Sequence, residues 1–166
     1  MNTAPDNRQL LTDYILAHQE DFYRLAYSYV KDRDAALDVV QESIVKALTK
    51  AASLRDPAYL RTWFYRILVN ESMDFFRRGR RLVPLEGQLD QAAAPEPDRS
   101  AWLDLYDAID RLNEKERTVI RLRFFEDMKL EEIARVTGGN LNTVKSRLYK
   151  GLKRLKDWTG EELDHE

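Results

Sequence analysis

The sequence predicts an all-α protein made of two small helical domains joined by a flexible linker. Only six glycines and five prolines occur in 166 residues, and 34% of the residues are charged, a composition that favours helices. Hydrophobic residues recur at helical spacing along most of the chain. Residues 82–100 break this periodicity with three prolines, a glycine and an alanine run. We therefore expect domains at 7–81 and 101–158, with the linker at 82–100.

Composition excludes several classes of function. The chain has no cysteine, so it has no disulfide, thiolate nucleophile or cysteine-ligated zinc. Its two histidines, His18 and His165, lie near opposite ends, and no glycine-rich phosphate loop is present. We expect no enzyme, no metal and no cofactor. Neither a signal-type segment nor an apolar run of about 18 residues occurs, which predicts a cytoplasmic protein without membrane insertion.

The first domain is predicted to contain three helices, over residues 7–30, 34–50 and 59–78, with a break at 31–34 and a loop at 49–58. Each helix carries an apolar stripe at helical spacing. The stripes are Phe22, Leu25, Ala26, Tyr29 and Val30; then Ala36, Val40, Ile44, Ala47 and Leu48; then Leu60, Phe64, Ile67, Leu68 and Phe75. These stripes predict one shared core.

A polar, mostly acidic face is predicted on the second helix. Asp38, Gln41 and Glu42 cluster there with Asp34, away from the apolar stripe. Such a face is often only solvated, but it also suits docking of a basic partner. Both interpretations remain open from the residues alone.

The third helix ends in a basic cluster beside aromatic residues. The cluster consists of Arg77, Arg78, Arg80 and Arg81, and it follows Phe75 and Phe76. Basic and aromatic side chains together suit phosphates and unstacked bases. Arginines near a helix C-terminus also interact favourably with the helix dipole, so part of the cluster can be ordinary capping.

The second domain is predicted to have four short helices. The first covers residues 101–117, and Asn113 can cap the second, over 114–126. The second helix is expected to bury Val119, Ile120, Leu122, Phe124 and Phe125. Residues 130–156 then predict a helix, a turn at Gly138 and Gly139, and a longer helix capped by Asn140. Val144, Leu148, Leu152 and Leu155 form the buried stripe of that last helix.

This last pair of helices has the pattern of a helix-turn-helix, whose second helix enters the major groove of DNA. Residues 143–156 carry six basic side chains and no acidic one. The side chains positioned to contact base edges are Lys145, Ser146, Arg147, Tyr149 and Lys150. A helical hairpin with a solvated basic face is the alternative. Residues 61–81 are also basic, net +4, although the whole chain is −2. Two separated basic faces predict two contacts with a polyanion.

Taken in order, these blocks resemble bacterial RNA polymerase sigma factors of the extracytoplasmic-function (ECF) group. The block DAALDVVQESIVKAL resembles the core-polymerase-binding helix of sigma region 2. The block LRTWFYRILVNESMDFFRRGRR resembles the segment that opens and reads the −10 element. The block RTVIRLRFFEDMKLEEIARVTGGNLNTVKSRLYKGLKRL resembles region 4, which reads the −35 element. The stretch FYRLAYSYVKDRDAALDVVQESI is also similar to a Gram-positive cell-envelope-stress branch.

The resemblance implies roles for particular residues. The polymerase-binding motif D-x-x-Q-E falls on Asp38, Gln41 and Glu42. The −10 residues are Asn70, Asp74, Arg77, Arg78 and Arg80, with a flipped-base pocket formed by Asn70 and the loop at 51–56. The −35 residues are Asn142, Thr143, Lys145, Ser146, Arg147, Tyr149 and Lys150. Asn142 departs from the family, in which glycine is common at this position.

The implied partners are core RNA polymerase, promoter DNA and an anti-sigma factor. The implied function is promoter-specific transcription initiation for a stress regulon under anti-sigma control. A stand-alone helix-turn-helix regulator is the main alternative, and it leaves the acidic face and the aromatic-arginine helix without a role. A helical adaptor without DNA binding is a second alternative, but it leaves the segregated charge unexplained.

Overall fold

The computed structural model describes residues 6–82 and 101–160, without the side chains of residues 80–82 and 101–104. The chain divides into two compact units, Met1–Leu82 and Val83–Glu166. Within the described ranges the regular structure consists of α-helices and two short 3-10 turns, with no β-strand. The all-α prediction is confirmed. Most of the predicted linker, residues 83–100, lies outside the described residues.

The first unit contains three helices within its described residues. They are α1 (Asn7–Val30), α2 (Arg33–Thr49) and α3 (Leu60–Leu82), with 3-10 turns at Ala51–Ser53 and Pro57–Tyr59 between α2 and α3. Lys31 adopts a left-handed conformation (φ 57°) that turns the chain after α1. The Asp32 carboxylate then accepts the Ala35 N–H at 2.9 Å and caps α2. Local chemistry at 31–34 therefore sets the break that the sequence predicted.

The core of the first unit is aromatic. Phe22 of α1 and Phe64 of α3 are fully buried, with ring centroids 4.4 Å apart. The α1 stripe is confirmed except that Val30 is half-buried, and α1 departs from helical geometry at His18 (φ −126°, ψ 20°).

On α2 and α3 the predicted stripes were partly wrong, because some of their residues are not buried and other buried residues were missed. Ile44, Leu48, Ile67 and Phe75 are only half-buried, whereas Val39, Tyr65 and Val69 are buried. Each helix packs against two others, so its buried face is wider than one stripe.

The described part of the second unit contains four helices: α4 (Ala101–Arg111), α5 (Glu114–Phe124), α6 (Leu130–Thr137) and α7 (Leu141–Thr159). The predicted helix over 101–117 is wrong at its end, because α4 stops at Arg111. Asn113 has an extended backbone (ψ 160°), and its side chain accepts the Glu116 N–H at 2.9 Å. The predicted cap at Asn113 therefore starts a separate helix and ends the previous one.

The end of α5 contradicts a second prediction. Val119, Ile120 and Leu122 are buried as expected, but Phe124 and Phe125 are 42% and 44% exposed. Position 121 is buried instead: Arg121 is 2% exposed and donates to the Asp110 carboxylate of α4 at 2.8 Å. This ion pair directs the Arg121 side chain inward, and α5 ends at Phe124.

Gly151 marks a close crossing of α7 over α5. A Cβ placed on Gly151 would lie 3.2 Å from Ile120 Cγ1. We expect Gly151→Val to lower the free energy of unfolding by about 1–3 kcal/mol, because the core around Ile120 would be overpacked. Urea unfolding of the full chain measures this. Gly79→Val is the matched control, since a Cβ at that helical glycine meets nothing within 4 Å. Equal losses at both positions would contradict a tight crossing.

Candidate nucleic-acid interface

The acidic face of α2 lies in solvent. Asp38, Gln41 and Glu42 are all exposed, and the buried side of the same helix carries Ala36 and Ala47. The helix thus presents two carboxylates and an amide within about one turn, without burying them in the core. Such a surface can accept hydrogen bonds from the basic side chains of a partner.

Two exposed apolar residues flank this acidic face. Leu37 is 44% exposed and Val45 is 57% exposed, and with Gln41 they follow each other at intervals of four residues along α2. Sequence reasoning missed them, although the spacing 37, 41, 45 was a signal. Exposed apolar side chains next to charged ones are typical of protein–protein interfaces, in which an apolar centre is surrounded by polar residues.

An ion pair connects α2 to α3. Lys46 of α2 donates a hydrogen bond to the Glu71 carboxylate, whose side chain is 8% exposed. This hydrogen bond raises the pKa of Lys46 above its usual range, against the opposing effect of burial. Because the folded-state pKa lies above the unfolded-state value, the stabilising contribution is complete at neutral pH. It is lost only as the pH rises through the raised pKa.

Candidate −10 residues share the exposed side of α3. Asn70, Asp74, Arg77 and Arg78 are all exposed, at helical spacing. Asp74 pairs with Arg77 at 3.7 Å, and Arg78 Nε lies 3.4 Å from the Asp74 carbonyl oxygen, to which it donates. The side chain of Arg80 lies outside the described part of the chain. The described side chains form a polar strip that ends in cations.

The loop between α2 and α3 is fastened to the start of α1. The Asn7 side-chain amide donates to the carbonyl oxygens of Ala51 at 3.1 Å and Leu54 at 2.8 Å. The Asp56 carboxylate accepts the Ala58 N–H at 3.0 Å and begins the second 3-10 turn. Sequence reasoning missed Asn7, because its partners are more than forty residues away. The flipped-base pocket implied for this loop and Asn70 stays a prediction.

The helix-turn-helix forms as predicted. Helix α6 ends at Gly138, whose left-handed backbone (φ 74°) places its N–H on the Ala134 carbonyl oxygen at 2.9 Å. The Asn140 side chain then accepts the Thr143 N–H at 2.8 Å and caps α7. Ile133 of α6 and Val144 of α7 are both fully buried. The turn therefore fixes how α7 leaves α6.

The outer face of α7 carries most of the predicted −35 residues in solvent. Five are exposed, and these are Asn142, Lys145, Ser146, Tyr149 and Lys150. Thr143 and Arg147 are half-buried. The Arg147 guanidinium lies beside the turn, since a Cβ on Gly139 would be 3.9 Å from Arg147 Nη1. The structure thus brings the seven residues onto the first half of one helix, with Thr143 and the Arg147 guanidinium beside the turn.

A groove runs between the start of α5 and the outer face of α7. Its volume is about 460 Å³, and it is lined by Asn113, Glu114, Lys115, Glu116, Ser146, Arg147, Lys150 and Arg154. Glu116 is buried, and its carboxylate accepts from Arg154 Nη1 at 3.0 Å. Arg154 in the second half of α7 is therefore anchored to α5, whereas Lys145, Ser146 and Lys150 in its first half are exposed.

Two features, a cluster of metal-binding side chains and a membrane-spanning helix, are not found in the described ranges. Among residues 6–82 and 101–160, no group of three histidine, aspartate or glutamate side chains is placed to hold a metal ion. Within those same ranges, no helix combines the length and the apolar character that crossing a membrane requires.

Two family models match the chain in the order of its two units. The model for "Sigma-70 region 2" matches residues 14–82. The model for "Sigma-70, region 4" matches residues 102–155. The first match contains α2, α3 and their candidate residues, and the second contains the helix-turn-helix.

Known relatives cover nearly the whole chain. The RNA polymerase sigma factor SigV of Bacillus subtilis is 45% identical over 157 residues, which is 94% of this chain and 95% of that protein. The ECF RNA polymerase sigma-E factor of Haemophilus influenzae is 30% identical, covering 84% and 82% respectively. The crystallised sigma factor RpoE of Bartonella quintana, in complex with the anti-sigma factor NepR, has a TM-score of 0.70. It is 25% identical and covers 92% of this chain and 98% of that one.

Proposed function

Because this chain belongs to the ECF group of RNA polymerase sigma factors, which direct polymerase to promoters, we propose a role for each of its surfaces. Helix α2 docks on core polymerase, α3 contacts the −10 element, and α7 reads the −35 element. The observation that carries this assignment is the exposure of all three candidate faces on units that match regions 2 and 4. The stand-alone regulator is not favoured, because region 2 accounts for the first unit.

Docking through α2 is supported by charge and by exposure. Asp38 and Glu42 lie one helical turn apart, flanked by exposed Leu37 and Val45. Carboxylates supply orientation and specificity toward a basic surface, and apolar neighbours supply buried area. Since Gln41 lies between the two carboxylates along α2, we place all three polar side chains in the interface.

DNA contacts through α3 and α7 are supported by their separate positions on the two units. Arg77 and Arg78 end the exposed strip of α3, and Lys145 and Lys150 extend from the first half of α7. Two weak contacts on one chain reinforce each other, because the first raises the effective concentration of the second. Bound polymerase would hold both elements at once.

We further propose that an anti-sigma factor holds this chain inactive in the cytoplasm until a stress signal releases it. The Bartonella quintana sigma factor of the same fold was crystallised with its anti-sigma factor, and 92% of this chain aligns with it. The stress regulon implied by the sequence resemblance stays a prediction.

The test of this function adds the purified chain to core polymerase and maps the 5′ ends of transcripts made from the genomic DNA of its host. We expect start sites that share a −10 and a −35 motif and that vanish when the chain is omitted. Unchanged start sites would contradict the proposal. Tight, sequence-specific binding to duplex DNA without polymerase would instead favour the stand-alone regulator.

Asn70→Ala is expected to change −10 preference without affecting polymerase binding. Its side chain is exposed on α3, whereas the docking residues lie on α2. Loss of one polar contact to a base should cost about 1–3 kcal/mol at the base concerned and little at the others. Transcription from promoters with single −10 substitutions measures this. A uniform loss at every promoter, or a weaker polymerase complex, would contradict the assignment.

A further inference from the structure

The ion pair between Lys46 and Glu71 lies between the two candidate faces of the first unit. Lys46 belongs to α2 and Glu71 to α3, and Lys46 Nζ donates to Glu71 Oε1. The Glu71 side chain is 8% exposed and that of Lys46 is 41% exposed. The pair therefore joins a buried carboxylate on one helix to a half-exposed cation on the other.

Each member of the ion pair is close in the sequence to a residue proposed to contact polymerase or DNA. Lys46 is one helical turn after Glu42, and Glu71 directly follows Asn70 and precedes Asp74 by three residues. Glu42 and Asp74 both attract the Lys46 ammonium electrostatically. A continuous set of charges thus runs from the docking face of α2 to the DNA-contacting side of α3.

We propose that Lys46 and Glu71 are positioning residues, which hold α3 at a fixed rotation and distance relative to α2. Once α2 is docked on polymerase, the pair presents Asn70 to the −10 strand. This inference rests on the proposed function, because it assumes that α2 docks and that α3 contacts DNA. Neither residue needs to touch DNA or polymerase.

The buried Glu71 carboxylate depends on Lys46 to compensate its charge. Removing Lys46 leaves Glu71 with a charge that the interior does not solvate, and such a loss is more destabilising than the absence of the whole pair. Moving toward solvent would then stabilise the charged Glu71 carboxylate. Because Asn70 lies on the same turn of α3, it would move as well. An uncompensated negative charge beside Asn70 would also repel the phosphates of an approaching strand.

The experiment uses the full chain assembled with core polymerase. It compares Lys46→Met with wild type in affinity for core polymerase and in affinity of the holoenzyme for a single-stranded −10 oligonucleotide. We expect oligonucleotide affinity to fall about tenfold, within the usual range of coupling between sites, and core affinity to change by less than about twofold. A merely structural role would lower both affinities together with the melting temperature.

Two further variants test whether pairing between residues 46 and 71 is the cause of the effect. The exchange K46E with E71K restores an ion pair of opposite polarity and should recover oligonucleotide affinity to within about threefold of wild type. Arg24→Met is the matched control, because it removes an exposed pair with Glu20 in the same unit and should change nothing measurable.

The results of these experiments distinguish a failure of the positioning role from a failure of the proposed function. If wild-type chain does not bind core polymerase, the proposed function itself fails. If wild type binds and transcribes but Lys46→Met holds the −10 oligonucleotide equally well, only the positioning role fails. A folded exchange variant that stays as weak as Lys46→Met would also overturn it, because pairing would then not be the cause.

Discussion

Replacing Asp38 and Glu42 together with arginine is expected to abolish association with core polymerase. Both carboxylates are exposed on α2, so the double change reverses the charge of the proposed docking face without disturbing the core. Close charge pairs across interfaces are worth several kcal/mol, and juxtaposed like charges cost several more. We expect a loss of more than about 3 kcal/mol, or more than about 100-fold in Kd. Co-purification with core polymerase and fluorescence titration measure it.

The matched control reverses two acids elsewhere on the same unit. Asp13 and Glu20 are exposed on α1, where they contact Gln9 and Arg24 of the same helix. Such surface pairs contribute little, so Asp13→Arg with Glu20→Arg should leave polymerase binding near wild type. Normal co-purification of the α2 variant, or an equal loss in the α1 variant, would refute docking through Asp38 and Glu42.

Truncating Lys145 or Arg147 to alanine is expected to weaken −35 recognition by about 1–3 kcal/mol if the side chain reads a base. Lys145 is exposed in the first turn and a half of α7, whereas Arg147 lies beside the turn that precedes the helix. A base contact gives a loss at one −35 position only. A phosphate contact gives an equal loss on every sequence and a shallower dependence on salt.

Lys153→Ala provides the comparison on the same helix. Lys153 is exposed in the second half of α7, near Arg154, which is anchored to Glu116 of α5. We expect its removal to change affinity slightly and equally on all −35 sequences. Transcription from promoters with single −35 substitutions distinguishes the three variants. If Lys145→Ala and Arg147→Ala behaved like Lys153→Ala, neither residue would read a base.

Local chemistry explains why the helix-turn-helix was predictable. Gly138 and Asn140 act on backbone groups within four residues, so their roles are visible in the sequence. The α7 stripe was also predictable, because all four of its predicted residues are buried and their helical spacing marks that face of the helix.

The predictions of buried residues failed where a contact with a residue far away in the sequence determines which side chain is buried. Arg121 is buried because its guanidinium donates a hydrogen bond to the Asp110 carboxylate of α4. From its residue type alone, an arginine would be expected in solvent. Phe124 and Phe125 looked apolar enough for the core, but they are 42% and 44% exposed, at the last residue of α5 and the position after it. The bond between Lys46 and Glu71 spans 25 positions, a separation at which sequence spacing carries no signal about contact.

Glu116 has a thermodynamic consequence for the second unit. Its carboxylate bonds to the Asn113 side chain at the first turn of α5 and also receives Arg154 from α7. Fraying of α5 at its beginning would therefore release α7 as well, so local and long-range order melt together. The start of α5 and the second half of α7 are therefore expected to open together. Helix α7, which we propose reads the −35 element, would keep this anchor only while the first turn of α5 is intact.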